Sequence, residues 1–70
     1  MNKAKMRAVM ALHNDNQEKL AEALDLPVSG VNARINGKVD FRMSEVQVIM
    51  RRYKLSLAEA GEIFFDGIAS

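Results

Sequence analysis

The stretch NQEKLAEALDLPVSGVNARINGK, residues 16 to 38, decides how this chain folds. Leu20, Ala21 and Leu24 recur at helical spacing after Asn16, whose side-chain oxygen suits the unsatisfied amides of a first turn, and a helix is predicted over about 17 to 24. Asp25 follows where a chain leaving a helix often turns left-handed. Leu26 faces inward, and Pro27 fits the first position of a new helix because its missing N–H would be unpaired there. That helix, about 28 to 35, carries Val31 and Ile35 as its apolar pair and stops at Asn36-Gly37. The two helices are joined by only three or four residues.

On the N-terminal side, Met6, Val9, Met10 and His13 recur at helical spacing, so a first helix covers about 3 to 13. On the C-terminal side, Met43, Val46, Ile49, Met50 and Tyr53 share one face of a fourth helix. Phe41 can staple onto Val46, with Arg42 as a poor cap between. Ser56-Leu57-Ala58-Glu59 is a capping box opening a fifth helix that runs through Ala60, Ile63, Phe64 and Phe65 to Asp66-Gly67. No segment alternates with period two, and no repeat or low-complexity tract appears. The expected architecture is all-α, one compact five-helix domain over residues 1 to 70.

Size and composition narrow the function. A domain of this length buries only about 60% of the surface its unfolded chain exposes, so every apolar helix face is needed. There is no cysteine and one histidine, which excludes disulfide staples, thiolate metal sites and a zinc site. No apolar run approaches the roughly 18 residues of a membrane span, and the N-terminal segment has no signal-peptide core, so a cytoplasmic location is expected. Residues 1 to 54 hold all ten Lys and Arg against six acids, a balance of +4, while residues 55 to 70 hold only Glu59, Glu62 and Asp66, a balance of −3. A weakly basic body suits a polyanion on one side.

Leu20, Ala21, Leu24, Leu26 and Val31 are the apolar set that a helix-turn-helix needs. Two helices crossing steeply at a short turn must approach closely, and Ala21 is small enough to allow it. With Leu26 and Val31 filling the wedge, the other face of the second helix of the pair is free to enter a DNA major groove.

Gln17-x-x-Leu20-Ala21-x-x-Leu24, then Val31, Ile35-Asn36-Gly37-Lys38, Phe41-x-x-Ser44-Glu45 and a closing Ile63-Phe64-Phe65 together resemble the phage-repressor and Cro-like (XRE-type) helix-turn-helix family, particularly short prophage regulators. The resemblance runs from about Met6 to Phe65. It implies a lambda-repressor-like DNA-binding fold and a sequence-specific transcriptional regulator that occupies operator DNA. It also implies that Val28, Ser29, Asn32 and Ala33 form the base-reading face: Val28 against a thymine methyl, Ser29 as donor or acceptor, Asn32 on adenine, and Ala33 offering only a methyl group. Gln17, with Asn16 beside it, would contact a phosphate at the start of helix two. Lys38 and Arg42 would grip the backbone from the following loop, with Arg34 close enough to join them.

Three positions depart from the family pattern. Asp25 stands where Gly is usual, Pro27 where Ser or Thr often caps the recognition helix, and Arg34 where many members bury an aliphatic residue, a burial that Ile35 is expected to take over. Gly30 costs about 1 kcal/mol against Ala in a helix interior, so this helix is expected to be loose until bound.

Other features read as structure. The Met stripe of Met6, Met10, Met43 and Met50 reads as core filler, and His13 as an ordinary end-of-helix residue. Glu59, Glu62 and Asp66 read as a solvated acidic face, and nothing offers a nucleophile, base and orienter, so no enzyme, cofactor, metal or small-molecule ligand is expected. Ile63, Phe64 and Phe65 point about 100° apart and cannot all face so thin a core. Either Phe64 plugs the core with Ile63 and Phe65 at its rim, or Ile63 and Phe65 form a two-fold homodimer interface, at least on DNA. The rival to a DNA-binding regulator is an antitoxin-like protein-interaction module that keeps the scaffold and uses the Phe64-Phe65 end as its main surface.

Overall fold

A computed structural model describes residues 1–65. Over them the chain forms α1 (Lys3–Leu12), α2 (Gln17–Leu24), α3 (Val28–Ile35), α4 (Met43–Tyr53) and α5 (Leu57–Phe64), with no strand among the described residues. The expected end of the fifth helix at Asp66-Gly67 lies outside them.

Local chemistry accounts for where the helices start. Asn2 and Asn16 each accept from the backbone N–H three residues on, at 3.0 Å from Lys5 and 2.8 Å from Lys19. Ser56 and Glu59 form the full capping box, Ser56 N donating to Glu59 and Glu59 N to the Ser56 hydroxyl. Only half of that device exists at α4, where Glu45 accepts from Arg42 N at 2.8 Å while the Arg42 side chain has no acceptor to offer in return.

Helix ends follow one rule four times. Asn14, Asp25 and Lys54 take φ of 55° and Gly37 takes 80°, and each reverses the chain so that the next N–H reaches back five residues. The bonds are Asp15 N to Met10 O, Leu26 N to Ala21 O, Lys38 N to Ala33 O and Leu55 N to Met50 O, at 2.8 to 2.9 Å. Three of these positions accept the left-handed backbone without glycine, and Leu26 and Leu55 are packed on the core immediately after two of them.

The core joins Met6, Met10, Leu20, Ala21, Val31, Ile35, Ile49, Tyr53 and Ile63, drawn from all five of these helices. α2 packs on α3 and α4, and α5 closes against α1 and α4. The backbone N–H of Asn2 donates to the carbonyl of Ile63, tying the start of α1 to the last turn of α5. The Cα radius of gyration is 11.0 Å, matching the ~11 Å of a folded chain of this length. Among the described residues no helix is long and apolar enough to cross a membrane.

Two expectations about packing need correction. Met43 is not core: it is 60% exposed, because the first turn of α4 lies at the mouth of a groove and turns Glu45 and Val46 inward instead. Pro27 is the cap residue and not the first helical position. Its ψ of 154° is still extended while its carbonyl accepts from Gly30 N and Val31 N.

A polar knot secures the α1–α2 corner. Arg52 donates through Nε and a terminal nitrogen to both oxygens of Asp15, at 2.8 and 3.0 Å, and the Tyr53 hydroxyl donates to the same carboxylate. Chiefly through the Arg52 bond, the Asp15 carboxyl is held down at about 2. The Tyr53 hydroxyl is pushed up from its usual range, first by burial and then by its bond to Asp15. His13, at the surface, lies against the Tyr53 ring with centroids 5.1 Å apart.

Candidate nucleic-acid interface

α3 is eight residues long and has two unlike sides. Val31 and Ile35 are sealed in the core, so Ile35 takes the burial expected of it. Ser29, Asn32 and Asn36 stand in solvent on the other side, while Val28, 44% exposed, opens the helix at the N-terminal end of the buried stripe. Ala33 is half-buried beside them. The close approach that makes this possible is at Ala21, 2% exposed and packed in the same cluster as Leu20 and Val31.

Across the outer side of the corner runs a line of amides. Asn36 donates to Asn32 Oδ1 at 2.9 Å, and Asn32 Nδ2 donates to Gln17 Oε1 at 3.3 Å. Asn32 thus uses one of its two donor hydrogens and one of its two acceptor lone pairs inside the protein. One of each remains, which is the pair that the N7 and N6 edge of adenine requires. In the sequence Asn36 marks the helix stop and belongs to the Ile35-Asn36-Gly37-Lys38 pattern, and its spacing of four from Asn32 is the clue that the two share a face.

The residues expected at phosphates divide into two groups. Lys38 and Arg42 are exposed on the segment between α3 and α4, with Asp40 exposed between them. Gln17 is half-buried at the start of α2, and Asn16 is exposed but has its oxygen committed to Lys19 N. Arg34 is not a free cation. Its side chain is 10% exposed, its Nε donates to Glu45 at 3.1 Å, and a terminal nitrogen donates to the Gly30 carbonyl at 3.1 Å. The carboxylate that holds it, Glu45, is itself a buried residue at 7% exposure. In the sequence Glu45 stands only as the last residue of Phe41-x-x-Ser44-Glu45, with no local sign that it pairs with Arg34.

The expected dimer surface changes as well. Ile63 is 2% exposed and belongs to the core, so neither arrangement foreseen for it holds; Phe64 and Phe65 are both half-buried. Phe41 meets Phe64 edge to face with centroids 5.6 Å apart, and Phe65 lies 6.4 Å from Phe64. These aromatics border a groove of about 400 Å³ whose rim includes Val39 and Met43, 46% and 60% exposed.

Comparison with known proteins returns no match: no known family, no curated protein and no solved structure matches this chain.

Proposed function

We propose that this chain is a sequence-specific DNA-binding regulator that lays α3 in the major groove, in the manner of a Cro-like phage or prophage repressor, and acts by occupying its operator. The α2–α3 corner is then a helix-turn-helix and α3 its recognition helix. One observation carries this reading: α3 is anchored by Val31 and Ile35 on one side while Ser29 and Asn32 stand open on the other and Val28 is exposed at its N-terminal end, with exposed Lys38 and Arg42 on the segment that follows. The major groove is about 12 Å wide and admits one such helix.

In this reading Val28 packs on a thymine methyl, Ser29 donates to or accepts from a base edge, and Asn32 pairs with adenine through the donor and acceptor its amide line leaves free. Ala33 contributes a methyl group. Lys38, Arg42, Gln17 and Asn16 meet phosphates, positioning the helix without reading sequence. A second copy, joined through the Phe65 end of α5, would present two recognition helices about 34 Å apart on one side of a duplex.

Selection from random duplex DNA followed by salt titration tests the proposal. The expected result is an enriched site, lost on substitution of Asn32, and a slope of log K against log salt that flattens by about 0.9 in Lys38→Ala. Binding indifferent to sequence and abolished by moderate salt would overturn it in favour of a protein-interaction module.

A further inference from the structure

Arg34 and Glu45 form the one polar link joining the side of α3 to the start of α4 among the described hydrogen bonds, and its geometry is more specific than stability requires. A single oxygen of Glu45, Oε1, accepts from Arg34 Nε at 3.1 Å and from Arg42 N at 2.8 Å. The same guanidinium reaches the Gly30 carbonyl in the middle of α3 at 3.1 Å. It therefore spans from the centre of α3 to the cap of α4, closing the loop of residues 36–42 at both ends.

Replacing a nearly buried ion pair with apolar groups of similar volume is often neutral or stabilising, so attraction alone gives little reason for one here. What it supplies is direction. Groups that read a ligand must be held to about half an ångström, and a seven-residue loop does not hold the end of a helix that closely.

We infer that Arg34 and Glu45 are a positioning pair: they touch no DNA, and they set the angle and offset of the base-reading face of α3 relative to the phosphate-holding segment that carries Lys38 and Arg42. The inference rests on the DNA-binding reading above. It assigns Arg34 to sequence discrimination rather than to the grip on phosphate. Breaking the pair should leave general attraction to duplex DNA intact while base contacts and phosphate contacts fall out of register.

The double variant Arg34→Met with Glu45→Gln removes both charges together, keeps an apolar stem at 34 and keeps an acceptor for Arg42 N. In the full chain, with the enriched duplex and a scrambled duplex as probes, its affinity for the scrambled duplex and its salt slope should match the wild type within twofold. Its preference for the enriched duplex should fall at least tenfold, and Arg34→Lys, which retains a donor for Glu45, should recover part of that loss. A merely stabilising role would lower both affinities by the same factor. Residual dipolar couplings of the free protein should show α3 reoriented against α4 in the double variant.

Unchanged preference, unchanged couplings, or a salt slope that flattens by about one in Arg34→Met would each overturn the inference. A wild type with no sequence preference would instead overturn the DNA-binding reading, and the couplings would still decide whether the pair sets the angle between the helices.

Discussion

Protonating or replacing Asp15 should cost this small domain a large share of its stability. The Asp15 side chain is 4% exposed, yet it carries a charge held by two bonds from Arg52 and one from Tyr53. Its carboxyl is lowered from 3.8 to about 2, with the Arg52 bond as the largest cause. At 1.36 kcal/mol per tenfold change in proton affinity, that difference corresponds to about 2 kcal/mol. A folded pKa below the unfolded one means the unfolded chain binds more protons between these values. The contribution is therefore complete above pH ~5 and is lost as pH falls through 3.8 toward 2. A chain of this length is expected to have roughly 4 to 10 kcal/mol in total, so the carboxylate supplies a fifth to a half of it. Urea denaturation of the wild type and Asp15→Asn at a series of pH values isolates the effect, because the other acids cancel in the difference. At pH 7 the variant should be less stable by about 2 kcal/mol, with its melting point lower by roughly 8 to 16 °C, and the two curves should converge near pH 2. A gap that persists undiminished to pH 2 would show that shape and not charge was lost, and no gap at pH 7 would show that the knot contributes nothing. Tyr53 gives the opposite sign at the other end: its raised pKa adds stability below about 10 that declines as the hydroxyl ionises at higher pH.

Two further outcomes follow from particular contacts. In Gly30→Ala the new Cβ meets Arg34 and Pro27 at 3.4 and 3.6 Å, ordinary contact distances, so the variant should gain about 1 kcal/mol in thermal melting from helix propensity alone. A loss would mean that the methyl had displaced the guanidinium from the Gly30 carbonyl. Phe65→Ala should leave the fold's melting point within about 1 kcal/mol of wild type while shifting sedimentation toward the monomer at high concentration and on operator-length DNA; a wild type that stays monomeric under both conditions would remove the homodimer.

Much of the fold was legible because its signals are local. The bounds of α2 and α3 follow from Asn16 at one end and Asn36-Gly37 at the other, and Ser56 with Glu59 announces α5, since caps act within four residues of sequence. Which of several apolar side chains faces inward is a different kind of fact. Ile63, Phe64 and Phe65 differ by 100° steps, and the rotation that buries Ile63 accompanies the Asn2 to Ile63 backbone bond, a pairing 61 residues apart in the chain. Met43 fits the apolar stripe of α4 by spacing, yet the stripe outruns the core at that end.

The site was legible to the same limit. Spacing turns Ser29 and Asn32 away from Val31 and Ile35, whereas Val28, three and seven residues before that pair, shares their stripe and comes to the reading face only through the family pattern; the structure exposes all three, but nothing within α3 reveals that Arg34 is paired, because its partner lies eleven residues on in another helix. The pairing changes the energetics of the proposed function. With Arg34 neutralised, Lys38 and Arg42 are the exposed cations of the segment after α3, and two phosphate contacts give a salt slope of only about −2 per protomer. Non-specific attraction of that size is weak at physiological salt. Under the proposed function, affinity for an operator would then rest on the base contacts of α3 and on a second copy on the same duplex. On this account the orientation of one short helix governs binding more than the charge around it does.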